Sequence, residues 1–174
     1  MQPILKLALV PGIVAAGIAF LVSPFIIKLA KKFKIIDDPR VNKHIKVIHK
    51  YPVPRMGGLA TYLAILLPSL IFLPLDKHLV GILVGLTLIT LIGILDDKYN
   101  LNPYLRLILG LLAALAPIAA GIGISFISNP SGGIIDLSSP QIVFNFLGKT
   151  RSIWILSDLF GLFWIVFIMN MLNM

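Results

Sequence analysis

Residues 79–97 read LVGILVGLTLITLIGILDD, and this stretch decides the fold. Seventeen apolar or small residues from Leu79 to Leu95 carry no charge, and two carboxylates, Asp96 and Asp97, follow at once. A helix crossing the hydrocarbon of a bilayer takes about 20 residues. The run is therefore read as a transmembrane helix that ends in an acidic pair at a membrane surface. The rest of the chain has the same character. Among its 174 residues, 58% are hydrophobic and 13% charged, and residues 56–75, 78–95 and 107–135 contain no Asp, Glu, Lys or Arg. Mean hydropathy is +0.99. A soluble fold could not cover that much apolar surface, and disorder needs the opposite composition. With no Cys, disulfides, thiolate metal sites and cysteine nucleophiles are excluded.

Working outward, five spans are expected: Pro3–Ala30, Gly57–Leu75, Leu79–Leu95, Tyr104–Gly123, and one from about Ser157 to Met174. The fold class is all-α integral membrane, a multi-pass bundle of about five helices in a single transmembrane domain, 1–174. Nine of the fifteen Lys and Arg residues lie between Lys28 and Arg55. Short cytoplasmic loops are enriched in these residues, so residues 31–56 are read as a basic cytoplasmic loop and the N-terminus as outside. Residues 124–156 then form an outer segment. Its short β-branched and aromatic runs, separated by Asn129–Gly133 and Ser138–Pro140, point to one or two small β-hairpins.

Asp96 and Asp97 are the candidate catalytic and metal-ligating residues. Adjacent carboxylates repel and persist where a cation, donors or open water stabilise them, and Mg²⁺ typically takes one or two carboxylates plus substrate phosphates. A solvated helix end explains the spacing equally well, but two acids at a helix C-terminus oppose the helix dipole. Arg106 could meet a carboxylate or phosphate, or anchor at the headgroups. The prolines of His49-Lys50-Tyr51-Pro52-Val53-Pro54-Arg55-Met56-Gly57-Gly58 fix an extended path. Gly57 and Gly58 would admit a close backbone or a phosphate. Asn170 and Asn173 share a helical face, where amides also serve ordinary helix packing. Asp158 is read as structural, in the first turn of the last helix. Charge alone puts the His49–Gly58 loop, the acidic pair and the Asn170/Asn173 face on one cytoplasmic side, an arrangement suited to phosphoryl transfer.

In these motifs the chain resembles the N-terminal part of the polyprenyl-phosphate N-acetylhexosamine-1-phosphate transferases, glycosyltransferase family 4, the MraY/WecA/TagO-like enzymes. The resemblance rests on Asp37-x-Pro39, on His49 with Pro52-Val53-Pro54-Arg55-Met56-Gly57-Gly58, on Gly93-x-x-Asp96-Asp97 with Leu101 and Arg106, and on Trp164-Ile165-Val166 leading to Asn170-x-x-Asn173. It implies transfer of a sugar-1-phosphate from UDP-N-acetylhexosamine to a polyprenyl phosphate of the undecaprenyl type. The products are a polyprenyl-diphospho-sugar and UMP, in cell-envelope glycan synthesis. It also implies Mg²⁺, Asp96 and Asp97 at the catalytic centre, and substrate binding by His49, Arg55, Gly57, Gly58, Arg106, Asn170 and Asn173. The setting is a plasma membrane with the active face cytoplasmic and no nucleic-acid partner; a homo-oligomer is compatible with it.

Three departures accompany the resemblance. Asn100 stands where a third acid is often found, His44 competes with His49 for the histidine slot, and the family pattern continues past Met174 into an Asp-Gly-x-x-Asp-Gly stretch. The 174 residues by themselves are thus expected to turn over little. A transporter or channel fragment and a non-catalytic membrane scaffold are the competing readings. Clean spans without a discontinuous helix weigh against transport.

Overall fold

The computed structural model describes residues 2–40, 50–146 and 149–172, with side chains over 8–40, 50–145 and 152–171. The chain is mostly helical: α1 (Gln2–Lys32), α2 (Gly57–Phe72), α3 (Lys77–Tyr99), α4 (Pro103–Ala119) and α5 (Ile155–Leu172). Three two-stranded antiparallel ribbons accompany them: β1 (Ile36–Asp37) with β2 (Val53–Pro54), β3 (Phe126–Ser128) with β4 (Ile134–Asp136), and β5 (Gln141–Phe146) with β6 (Lys149–Trp154). Among the described residues, two helical segments, Ala8–Lys32 and Lys77–Tyr99, are long and apolar enough to cross a membrane, whereas α2, α4 and α5 are shorter apolar helices. On α1, Phe20 is 80% and Phe25 69% exposed. Such side chains lose free energy in water and none in lipid.

The chain divides into two compact units, Met1–Leu75 with Leu86–Arg106, and Asp76–Gly85 with Leu107–Met174.

In the first unit, α1 packs along α2. Lys34 ends α1 in the left-handed region at φ 57. Its N–H reaches Lys31 O at 3.2 Å, and Ile35 N–H reaches Ala30 O at 2.9 Å. This double bond pattern is a Schellman motif, and its usual apolar contact between the flanking residues is present as buried Ala30 and Ile35. Ile26 and Met56 complete that small core. The reversed chain then runs into β1, whose partners are Ile36↔Pro54 and Asp37↔Val53. This ribbon inside the basic loop has no signature in the residue pattern, since two residues per strand leave no alternation to see.

Helix α2 stops at Phe72, three residues before the expected Leu75. Leu73 is extended (φ −112, ψ 145), as the residue before Pro74 is driven to be. Helix α3 runs four residues past the expected Leu95, so Asp96 and Asp97 stand in its last turn and not in a loop. Asn100 closes it at φ 49, with its N–H on Asp96 O at 2.8 Å. Asn accepts this left-handed cap more readily than most residues. Asn102 caps α4 through Tyr104 N–H at 2.9 Å, with Pro103 at the first helical position.

In the second unit, Asp76 caps the start of α3 through Leu79 N–H at 2.8 Å. That bond, with a smaller contribution from His78, holds the Asp76 carboxyl below its ordinary range. Gly81 and Gly85 lie against Ala116 and Pro117 of α4, and Gly81 also against Ala120 just beyond it, where a larger side chain would not fit. Helix α4 ends at Ala119, short of the expected Gly123. Both hairpins form. The first pairs Phe126↔Asp136, Ile127↔Ile135 and Ser128↔Ile134. Its turn needs positive φ at Gly132 (104) and Gly133 (83), which glycine adopts without a Cβ clash. The second runs from Gln141↔Trp154 to Phe146↔Lys149. Helix α5 begins at Ile155, two residues earlier than expected, and Asp158 in its first turn accepts Trp154 N–H at 3.1 Å.

Candidate functional site

The site candidates that come together all belong to the first unit. The Schellman turn and the β1–β2 ribbon deliver Asp37 beside Arg55, whose Nη2 donates to Asp37 Oδ2 at 3.0 Å. Arg55 Nη1 donates to Asn100 Oδ1 at 3.2 Å, so the end of the basic loop meets the turn that follows α3. One residue further, Met56 adopts φ 87 and opens α2. Its N–H donates to Asp97 Oδ2 at 3.0 Å.

The two adjacent carboxylates therefore have different surroundings. Asp96 Oδ1 accepts Leu101 N–H at 3.0 Å, and Oδ2 accepts from Arg106 Nη1 at 3.1 Å. Both of its oxygens are engaged, which offsets the unfavourable placement at a helix C-terminus. The pair is 35% exposed at Arg106 and 22% at Asp96. Arg106 Nε is buried and, among the described residues, has no hydrogen-bond partner. Asp97 has a backbone amide on one oxygen, and no ion pair reaches it among the described residues. It borders a cleft of about 210 Å³ that is otherwise lined by Met56, Gly58, Leu59, Thr90, Gly93 and neighbouring isoleucines. Gly57 and Gly58, the first residues of α2, have no atom within 4 Å of where a Cβ would stand. Packing within the described residues thus leaves both open to an approaching group.

In the donor chemistry of this set, Asp97 offers a carboxylate oxygen, and no group of three His, Cys, Asp or Glu gathers among the described residues. A hard divalent ion that takes one carboxylate and fills its remaining positions with phosphate oxygens and water fits such a site; an all-protein cage does not.

Asn170 lies in the second unit, on α5. Its Nδ2 donates back to Val166 O at 2.8 Å. It borders an apolar cleft of about 440 Å³ between α4 and α5, lined by Leu107, Leu111, Phe163, Val166 and Phe167 among others. His49 and Asn173 fall outside the described residues. Sequence reasoning missed two participants. Asp37 was visible only as part of a motif, with nothing to pair it to Arg55. The Met56 amide depends on a left-handed backbone at a non-glycine residue, which carries no sequence signal.

Residues 79–174 match glycosyl transferase family 4. A Bacillus subtilis (strain 168) protein named "Probable undecaprenyl-phosphate N-acetylglucosaminyl 1-phosphate transferase" is 31% identical over 121 residues, 68% of this chain and 32% of that protein. Decaprenyl-phosphate N-acetylglucosaminephosphotransferases of Mycobacterium leprae (strain TN) and Mycolicibacterium smegmatis (strain ATCC 700084 / mc(2)155) are also similar. The former is 31% identical over 76% of this chain and 34% of its own length. The latter is 30% identical over 80% of this chain and 36% of its own length. The chain spans about a third of the length of the curated relatives it matches. No solved structure matches it.

Proposed function

This chain belongs to glycosyl transferase family 4, and from that premise we propose that its protein transfers N-acetylhexosamine-1-phosphate from a UDP-sugar to a polyprenyl phosphate, releasing UMP. The observation that carries the reading is Asp97: a half-buried carboxylate at the edge of an apolar cleft, with a single backbone donor and no ion pair among the described residues. An isoprenoid chain suits the cleft's apolar wall, and its phosphate suits the polar end where Asp97 and the first amides of α2 meet. The N-terminus of α2 carries partial positive charge and two glycines that leave room for an anion.

In the proposed reaction an oxygen of the lipid phosphate forms a bond to the sugar-bearing phosphorus of the UDP-sugar. The bond from that phosphorus to the UMP oxygen breaks, and UMP leaves with the electron pair. Asp97 orients the lipid phosphate and accepts its proton where one is present. Asp96 and Arg106 hold the turn that follows α3 and keep the acidic pair in place. Mg²⁺, when bound at Asp97 together with substrate phosphates, would neutralise the charge on the transferring group. The resemblance assigns His49, Arg55, Gly57, Gly58, Arg106, Asn170 and Asn173 to substrate contacts, the last two in the nucleotide- and metal-binding region; the ion pairs of Arg55 with Asp37 and of Arg106 with Asp96 favour a positioning role for those two.

The same proposal places the protein in the plasma membrane as a five-helix, multi-pass bundle, with the N-terminus outside and the Asp96–Asn102 corner in the cytoplasm. The concentration of Lys and Arg in residues 28–55 supports that orientation. The test is UMP release in membranes containing this chain as part of a protein of the relatives' full length, with UDP-N-acetylglucosamine and a polyprenyl phosphate. Release that requires both the lipid acceptor and a divalent cation, and stops with EDTA, is expected. No acceptor-dependent release with any UDP-N-acetylhexosamine would overturn the reading.

A further inference from the structure

We propose that Arg55 is a positioning residue: bridged between Asp37 and Asn100, it fixes the left-handed backbone at Met56 so that the Met56 amide stays on Asp97. The inference deepens the transferase reading and rests on it only for its kinetic consequence.

Three observations lead to it. First, a non-glycine residue at φ 87 is intrinsically unfavourable and persists only where the surroundings over-determine it. Here the Met56 side chain is 4% exposed, held among Ile26, Ala30 and Ile35. That packing anchors the side chain but does not by itself set the direction of the N–H. Second, the preceding residue is tied down from three directions. Arg55 N–H donates to Ile35 O at 3.0 Å, Nη2 to Asp37 Oδ2 at 3.0 Å and Nη1 to Asn100 Oδ1 at 3.2 Å. A planar guanidinium can span two acceptors on different elements, whereas an ammonium is a point charge.

Third, the links run in parallel. Residues 55 and 56 are neighbours on one side, and Asn100 and Asp97 lie about one helical turn apart on the other. Arg55–Asn100 and Met56–Asp97 thus form two rungs between the start of α2 and the end of α3. Losing the Arg55–Asn100 rung leaves the Met56–Asp97 contact to the strained Met56 backbone alone. The neutral side chain at position 100 also has a rationale. Asp37 already supplies a negative partner for Arg55, so Asn100 needs only to accept a hydrogen bond and adopt φ 49.

Hydrogen exchange resolved at single amides, on the full chain in lipid nanodiscs, tests the assignment. The Met56 amide is expected to be protected. Arg55→Ala should speed its exchange about tenfold or more, as loss of a charge-assisted bond would. Amides inside α2, such as that of Leu63, should stay within about twofold. Arg55→Lys should fall between, and Asn100→Asp should match the unsubstituted protein. If Arg55→Ala loosens all of α2, Asp37→Asn decides, because it keeps the volume and the guanidinium. A selective rise at Met56 then supports the proposal, and unchanged exchange there overturns it. In UMP release, Asp37→Asn should lower kcat with KM for the UDP-sugar nearly constant; a change in KM alone would make Arg55 a substrate contact and overturn the assignment. Absence of UMP release from an unsubstituted protein of the relatives' full length that carries this chain, with Met56 still selectively protected, would defeat the transferase reading and leave the bridge standing.

Discussion

Asp97→Asn is expected to lower UMP release by a factor of about 10²–10⁴, the range associated with removing a group that accepts or positions a proton in the transition state. The substitution keeps shape and size. The Asn amide oxygen can accept the Met56 N–H that Oδ2 now accepts at 3.0 Å, so the left-handed turn at Met56 should survive. What disappears is the negative charge beside the cleft, and with it both the proton acceptor and the oxygen best suited to a hard cation. Asp96→Asn differs in kind, because both Asp96 oxygens already serve Leu101 and Arg106. Its effect should therefore appear in stability as well as turnover. Initial rates at matched protein amount, with a melting temperature for each variant, make the comparison. Retention of activity within about tenfold by Asp97→Asn would remove Asp97 from the chemistry.

Arg106→Ala is expected to destabilise the protein by about 1–2 kcal/mol. Removing one partner leaves a partly buried carboxylate under-satisfied, a loss of about 1–3 kcal/mol in general. The pair is roughly a third exposed on the Arg106 side, which places it in the lower half of that range. The stranded acid would also face the negative end of α3 without a counter-charge. Relief of the buried Nε, which has no partner among the described residues, offsets part of the loss. Because the effect runs through Asp96, the Asp96→Asn/Arg106→Ala double variant should be less destabilised than the sum of the single variants. Thermal unfolding in nanodiscs measures all three; additive losses would show that the two side chains do not act as a pair.

The helices were legible because uncharged runs of about 20 residues have few alternatives to a span, and the hairpins because Asn129–Gly133 and Ser138–Pro140 are turn chemistry. Helix ends were less legible. Asp96 and Asp97 look like loop residues until Asn100 is seen to cap the helix behind them, and the stop at Phe72 follows from Pro74. The acidic pair and Arg106 were singled out correctly as interacting groups, but which oxygen meets which donor depends on long-range geometry. The Asp37–Arg55–Asn100 bridge joins residues 18 and 45 positions apart, beyond any local pattern. Of the three elements expected to converge, the His49–Gly58 loop, the acidic pair and the Asn170/Asn173 face, the Arg55–Met56 end of the first meets the second in one unit. Asn170 belongs to the other, and the difference between Asp96, with both oxygens engaged, and Asp97, with a backbone amide on one, had no sequence signal.

The proposed transfer requires the basic loop and the end of α3 to share one aqueous face, which side-specific labelling can read. The sequence contains no Cys, so single cysteines introduced by Tyr51→Cys and Lys98→Cys, both at exposed positions, can be read without background. In sealed vesicles of known orientation, a membrane-impermeant maleimide should reach both from the cytoplasmic face and neither from the outer face. Labelling of the two positions from opposite faces would contradict the shared site, and with it the proposed transfer.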